Sequence, residues 1–89
     1  MRDLDAIWVY GVRQFGEAQA EEMIERLESQ FRLLASHPFI GRARDHVSPG
    51  LRTIPIERYL ICYRIASPGV RIVRIWGAMQ DPRRLKKEL

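Results

Sequence analysis

"YLICYRIASPGVRIVRIWG", residues 59–77, is the most apolar stretch of this chain, and its reading decides the fold. Tyr59–Ala66 and Val70–Trp76 are rich in β-branched and aromatic residues, which favours strands. Ser67-Pro68-Gly69 between them is turn punctuation. At a period of two, Tyr59, Ile61, Tyr63 and Ile65 share one face of the first strand, and Leu60, Cys62 and Arg64 share the other. Val70, Ile72, Arg74 and Trp76 share a face of the second. Each strand also carries a guanidinium that cannot lose its charge, Arg64 and Arg74. A turn of two or four residues sets Arg74 beside Tyr63 and Arg64 beside Arg71, with Arg64 and Arg74 on opposite faces. A three-residue turn sets them on the same face. We expect opposite faces, with one face on the helices and the other left open for an acidic partner.

Working outward, the same tripeptide recurs as Ser48-Pro49-Gly50, ahead of a further strand at Leu51–Ile56. Three strands in succession predict an antiparallel meander. Upstream the period changes. Leu4, Ile7, Trp8, Val12 and Phe15 recur at helical spacing, with Asp3 placed to cap and Gly16 to end the helix. Ala20, Met23, Ile24, Leu27, Phe31 and Leu34 mark a second helix over residues 17–36. Glu22–Arg26 and Glu28–Arg32 on it stand in the favourable i,i+4 order. The short link at Gly16 predicts an antiparallel helical hairpin covering one face of the sheet. The fold class is therefore α+β, a helical hairpin on a three-stranded antiparallel sheet. Gly41–Gly50 forms a basic loop, and residues 79–89 form a short basic tail.

The chain has 89 residues, 46% of them apolar, which fits one domain over 1–89. A chain of this size buries roughly 60–65% of its unfolded surface. No apolar run is long enough for a membrane span, and the polar, acidic start is no secretory signal. The single Cys62 cannot form an internal disulfide and reads as a small core residue. These features fit a reducing cytoplasm.

Charge is unevenly placed. Residues 1–37 hold four arginines against seven acids, a net of −3. Residues 38–89 hold nine arginines and two lysines against four acids, a net of +7. The basic part favours acidic partners. Catalytic constellations are missing from the pattern. There is no Gly-rich phosphate loop and no metal-ligand spacing. His37 reads as a helix-end group, His46 as a loop residue, and no serine has a partner His or Asp at a triad spacing. No catalytic residue, metal ligand or cofactor is assigned.

The segments "DLDAIWVY", "FGEAQAEEMIERL", "HPFIGRARD", "PGLR", "ICYRI" and "VRIVRIW" run through nearly the whole chain. In that order they resemble the ParE toxins of the ParE/RelE superfamily, the toxin halves of bacterial type II toxin–antitoxin pairs. Two departures stand out. Relatives usually open with a short strand before the first helix, and this chain starts almost at the helix. Many relatives also place a His after the last strand, where this chain has Gly77. The resemblance implies a cytoplasmic growth inhibitor neutralised by a ParD-like antitoxin, whose acidic, disordered C-terminal segment folds onto the toxin. It implies DNA gyrase as target, inhibition by binding rather than catalysis, and operator DNA reached only through the antitoxin in a hetero-oligomer. The alternatives are a RelE-type ribosome-dependent mRNA endonuclease and an inactive complex-forming member. Target-contact candidates are Arg64, Arg74, Met79, Arg83 and Arg84. Antitoxin-binding candidates are Trp8, Val12, Phe31, Arg52, Tyr63 and Trp76.

Overall fold

The structure is a computed structural model that describes residues 2–77. In chain order its elements are α1 (Arg2–Phe15), α2 (Glu17–Ser36), β1 (Arg42–Ala43), β2 (Leu51–Ile56), β3 (Tyr59–Ala66) and β4 (Gly69–Gly77). This is the expected α+β class. The chain divides into two compact units, residues 1–33 and 34–89. The expected basic tail lies outside the described residues.

In the first unit, α1 begins at Arg2, so Asp3 lies in the first turn with Asp5 and is not the cap. Carboxylates there, and Arg13 in the last turn, complement the helix dipole. Gly16 ends α1 with φ 91°, and its N–H donates to Val12 O at 3.0 Å. Its own carbonyl accepts from Ala20 N–H at 3.1 Å, in the first turn of α2. One residue thus closes one helix and opens the next, which only a left-handed backbone allows here. Gly16→Ala should cost about 1 kcal/mol of stability, read by denaturant unfolding.

The two helices approach closely. A methyl added at Gly11 would lie 3.1 Å from Cβ of Ala20, which is buried. Ile7 and Leu27 are also buried. On the exposed side Glu22 and Arg26 approach to 3.9 Å. Arg32 donates to Ser29 Oγ at 3.0 Å rather than pairing with Glu28.

In the second unit the sheet has four strands in the order β1-β2-β3-β4, all antiparallel. The three expected strands are present. The fourth, β1, comes from the basic loop, where Arg42 and Ala43 pair with Thr53 and Arg52. β2 and β3 are joined through Glu57 and Arg58, with Glu57 at φ 52°.

The β3–β4 register corrects the expected arrangement of the arginines. Next to the two-residue Ser67-Pro68 turn, Ala66 pairs with Gly69, Arg64 with Arg71 and Tyr63 with Ile72. A bulge then slips the ladder by one, and Cys62 pairs with Arg74, not Tyr63 with Arg74. Val73 is the extra residue, and an extra residue reverses the alternation beyond it. Arg64, Arg71 and Arg74 therefore share one face. That face also carries Leu51, Thr53, Leu60, Cys62 and Trp76; the other carries Arg52, Ile54, Ile61, Tyr63, Ile72 and Ile75.

Neither face is open at its centre. Ile61, Tyr63 and Ile75 are buried on one, and Leu51, Thr53, Cys62 and Trp76 on the other. Leu51, Cys62 and Trp76 form a cluster flanked by Val47 and Leu60.

Candidate functional site

The loop between α2 and β2 is held on both sides of the sheet. On the face of Tyr63, the fully buried phenol donates to Pro38 O at 2.7 Å and accepts from Gly41 N–H at 2.8 Å. Arg52, its neighbour across the β2–β3 ladder, donates through Nη1 to Gly41 O at 2.6 Å and Phe39 O at 3.3 Å. The Arg52 guanidinium also lies over the Phe39 ring, 5.1 Å from its centroid. Phe39 itself is 70% exposed. Tyr63 and Arg52 were candidates for antitoxin contact; the structure uses both to fix residues 38–41. Tyr63→Phe removes the hydroxyl and leaves a buried N–H and a carbonyl without it. The expected cost is about 2 kcal/mol, a Tm fall of roughly 8–16 °C by thermal unfolding.

On the other face, Arg64 plays the matching part. Its Nη2 donates to Ser48 Oγ and its Nε to Pro49 O at 3.4 Å. Residues 44–50 are further closed by Arg44 N–H to Leu51 O at 2.8 Å and by Gly50 N–H to Asp45 Oδ1 at 2.9 Å. Arg44 Nε donates to Thr53 Oγ1 at 3.1 Å, which satisfies the one buried polar side chain of β2.

Beyond Arg64 the face is cationic. Arg71 stands directly across from Arg64 and is exposed, while Arg74 is half-buried with its guanidinium 5.3 Å from the Trp76 ring centroid. Like charges directly opposite on a ladder oppose folding. Asp45 is spent on the backbone of Gly50. Trp76 is buried, and among the described residues its Nε1 has no hydrogen-bond partner.

The structure thus brings Arg64, Arg74 and Trp76 together on one face, with Tyr63 and Arg52 on the reverse. Trp8, Val12 and Phe31 are half-buried on α1 and α2. Met79, Arg83 and Arg84 lie outside the described residues. Arg71 completes the cationic cluster and was missed as a candidate. Its three-residue spacing from Arg74 within an apolar strand was the available signal, since strict alternation cannot place both on one face.

Among the described residues no group of His, Cys, Asp and Glu is arranged to hold a metal ion, and no helix is long and apolar enough to cross a membrane. His37 and His46 are exposed.

Residues 1–82 match the family model of the ParE toxin of type II toxin–antitoxin systems, parDE. The chain is 34% identical over 73 residues to Toxin ParE3 of Caulobacter vibrioides, covering 82% of this chain and 73% of that toxin. It is 30% identical over 79 residues to Toxin ParE1 of Mycobacterium tuberculosis, covering 88% of this chain and 81% of that toxin. Matches of this extent, together with two helices followed by an antiparallel sheet, leave one conclusion: the chain belongs to the ParE toxin family of type II toxin–antitoxin systems.

Proposed function

We propose that residues 1–89 act as one toxin domain in the cytoplasm, neutralised by a ParD-like antitoxin and directed at DNA gyrase. The observation that carries the partner reading is the cluster of Arg64, Arg71 and Arg74 on one sheet face. Two of these stand directly opposite each other, within a part of the chain whose net charge is +7. Such a face gains from an anionic partner, because an added carboxylate relieves the cross-strand repulsion as it binds. An acidic antitoxin segment that folds on contact has that chemistry, and its charge also speeds the encounter. The gyrase reading rests on family membership.

Purified toxin added to gyrase with relaxed plasmid tests the target. Loss of supercoiling with accumulation of cleaved DNA, reversed by antitoxin, is the expected result. Normal supercoiling at micromolar toxin overturns the gyrase reading, and cut messages with arrested translation in its place would assign the chain to the mRNA-cleaving cousins.

A further inference from the structure

One face of α1 carries exposed apolar side chains, with Val9 46% and Tyr10 43% exposed, and Phe15 at the end of the helix is 46% exposed. Tyr10 and Phe15 meet edge to face, ring centroids 6.4 Å apart and planes at 75°. A shallow depression along the helix is lined by Asp5, Ala6, Val9, Tyr10, Arg13 and Gln14. These form two adjacent rows at four-residue spacing, 5-9-13 and 6-10-14, so they make one continuous stripe. Its charges sit at opposite ends, Asp5 toward the N-terminus and Arg13 toward the C-terminus. They stand eight positions apart, about 12 Å along the axis, too far for a direct pair within the helix. Both are exposed.

We propose that this face of α1 is a two-fold self-association surface whose occupant is the same face of a second copy of the chain. The argument is charge complementarity. A copy lying antiparallel across Val9 places its Arg13 opposite Asp5 and its Asp5 opposite Arg13. Both ends of the stripe are then satisfied by one symmetry operation, which is the defining property of an isologous interface. Val9 meets Val9 at the centre, with Tyr10 alongside, and the two helix dipoles oppose each other favourably. An acidic segment laid along the same stripe would match Arg13 and confront Asp5. Two helical turns make a small interface, so the dimer is weak and depends on concentration and salt. The inference is independent of the gyrase and antitoxin readings.

The test is sedimentation equilibrium of the full chain over a range of concentrations, with circular dichroism to verify folding. Wild type is expected to show a monomer–dimer equilibrium that weakens with added salt. Asp5→Arg and Arg13→Asp each place two like-charged pairs across the axis, and each should weaken dimerisation at least tenfold, about 1.4 kcal/mol. The Asp5→Arg/Arg13→Asp double variant restores complementarity and should restore the dimer. A monomer at every concentration, a dimer indifferent to the single swaps, or a double variant as weak as the singles would overturn the proposal. Single swaps that lower antitoxin affinity without any wild-type dimer would overturn it too, and would assign the face to the antitoxin.

Discussion

Gly41→Ala is expected to destabilise the protein by about 3 kcal/mol, the largest effect of any single methyl we anticipate here. Gly41 is buried, and its N–H donates to the Tyr63 hydroxyl at 2.8 Å. A Cβ at that position would fall 2.6 Å from Tyr63 Cε1 and 2.8 Å from Cζ. The ring cannot swing aside, because Tyr63 is fully buried and its hydroxyl is also bound to Pro38 O. The loop backbone must move instead, and moving it breaks the Gly41 and Pro38 bonds to Tyr63 and strains those from Arg52. For a domain of this size, about 3 kcal/mol corresponds to a Tm roughly 12–24 °C lower. Thermal and urea unfolding check this. A loss under about 1 kcal/mol would mean that the loop is not fixed by Tyr63. Because Gly41→Ala and Tyr63→Phe damage the same bonds, the double variant should cost clearly less than the two single losses added together.

The contrast with Gly16 separates two uses of glycine. At Gly16 the requirement is the backbone angle, with open space around the missing side chain. At Gly41 the requirement is space alone. In the sequence both are simply a glycine between an apolar and a charged residue, and only Gly16 could be read there, because it interrupts two helical patterns.

How far the fold was legible follows the same logic. Boundaries of α2, β2 and β3 were readable because periodicity and turn residues act locally, and the two Ser-Pro-Gly tripeptides mark strand entries. β1 was not readable. Two residues are too few to alternate, and Arg42 and Ala43 become a strand only because β2 is there to pair with them. The bulge lay in between. Ile72 and Ile75, like Arg71 and Arg74, are three apart, yet each pair shares a face. A regular strand forbids that, so the sequence carried the signal in its broken alternation. Of the candidate site, the cationic character was legible from charge alone. The duties of Arg52, Tyr63 and Arg64 were not, because their partners are main-chain oxygens and a serine, and only folding brings those within reach.

Arg71→Glu separates folding from binding, since the two effects should have opposite signs. Arg71 is exposed and stands directly across from Arg64. Reversing its charge replaces a like-charged cross-strand pair with an opposite-charged one, expected to raise stability by about 0.5 kcal/mol. The same change removes a cation from the face on which an acidic antitoxin segment would lie. Affinity for antitoxin should then fall at least tenfold, and about a hundredfold when Arg74→Glu is added, or roughly 2.7 kcal/mol in total. Arg74 alone is less clean as a probe, because its guanidinium also covers the Trp76 ring and part of any loss would come from that packing. Titration calorimetry at two salt concentrations reads the effect, and the salt dependence should flatten as the cations are removed. A more stable toxin that binds antitoxin less tightly cannot be explained by unfolding. Wild-type affinity in Arg71→Glu/Arg74→Glu would place the antitoxin on another surface.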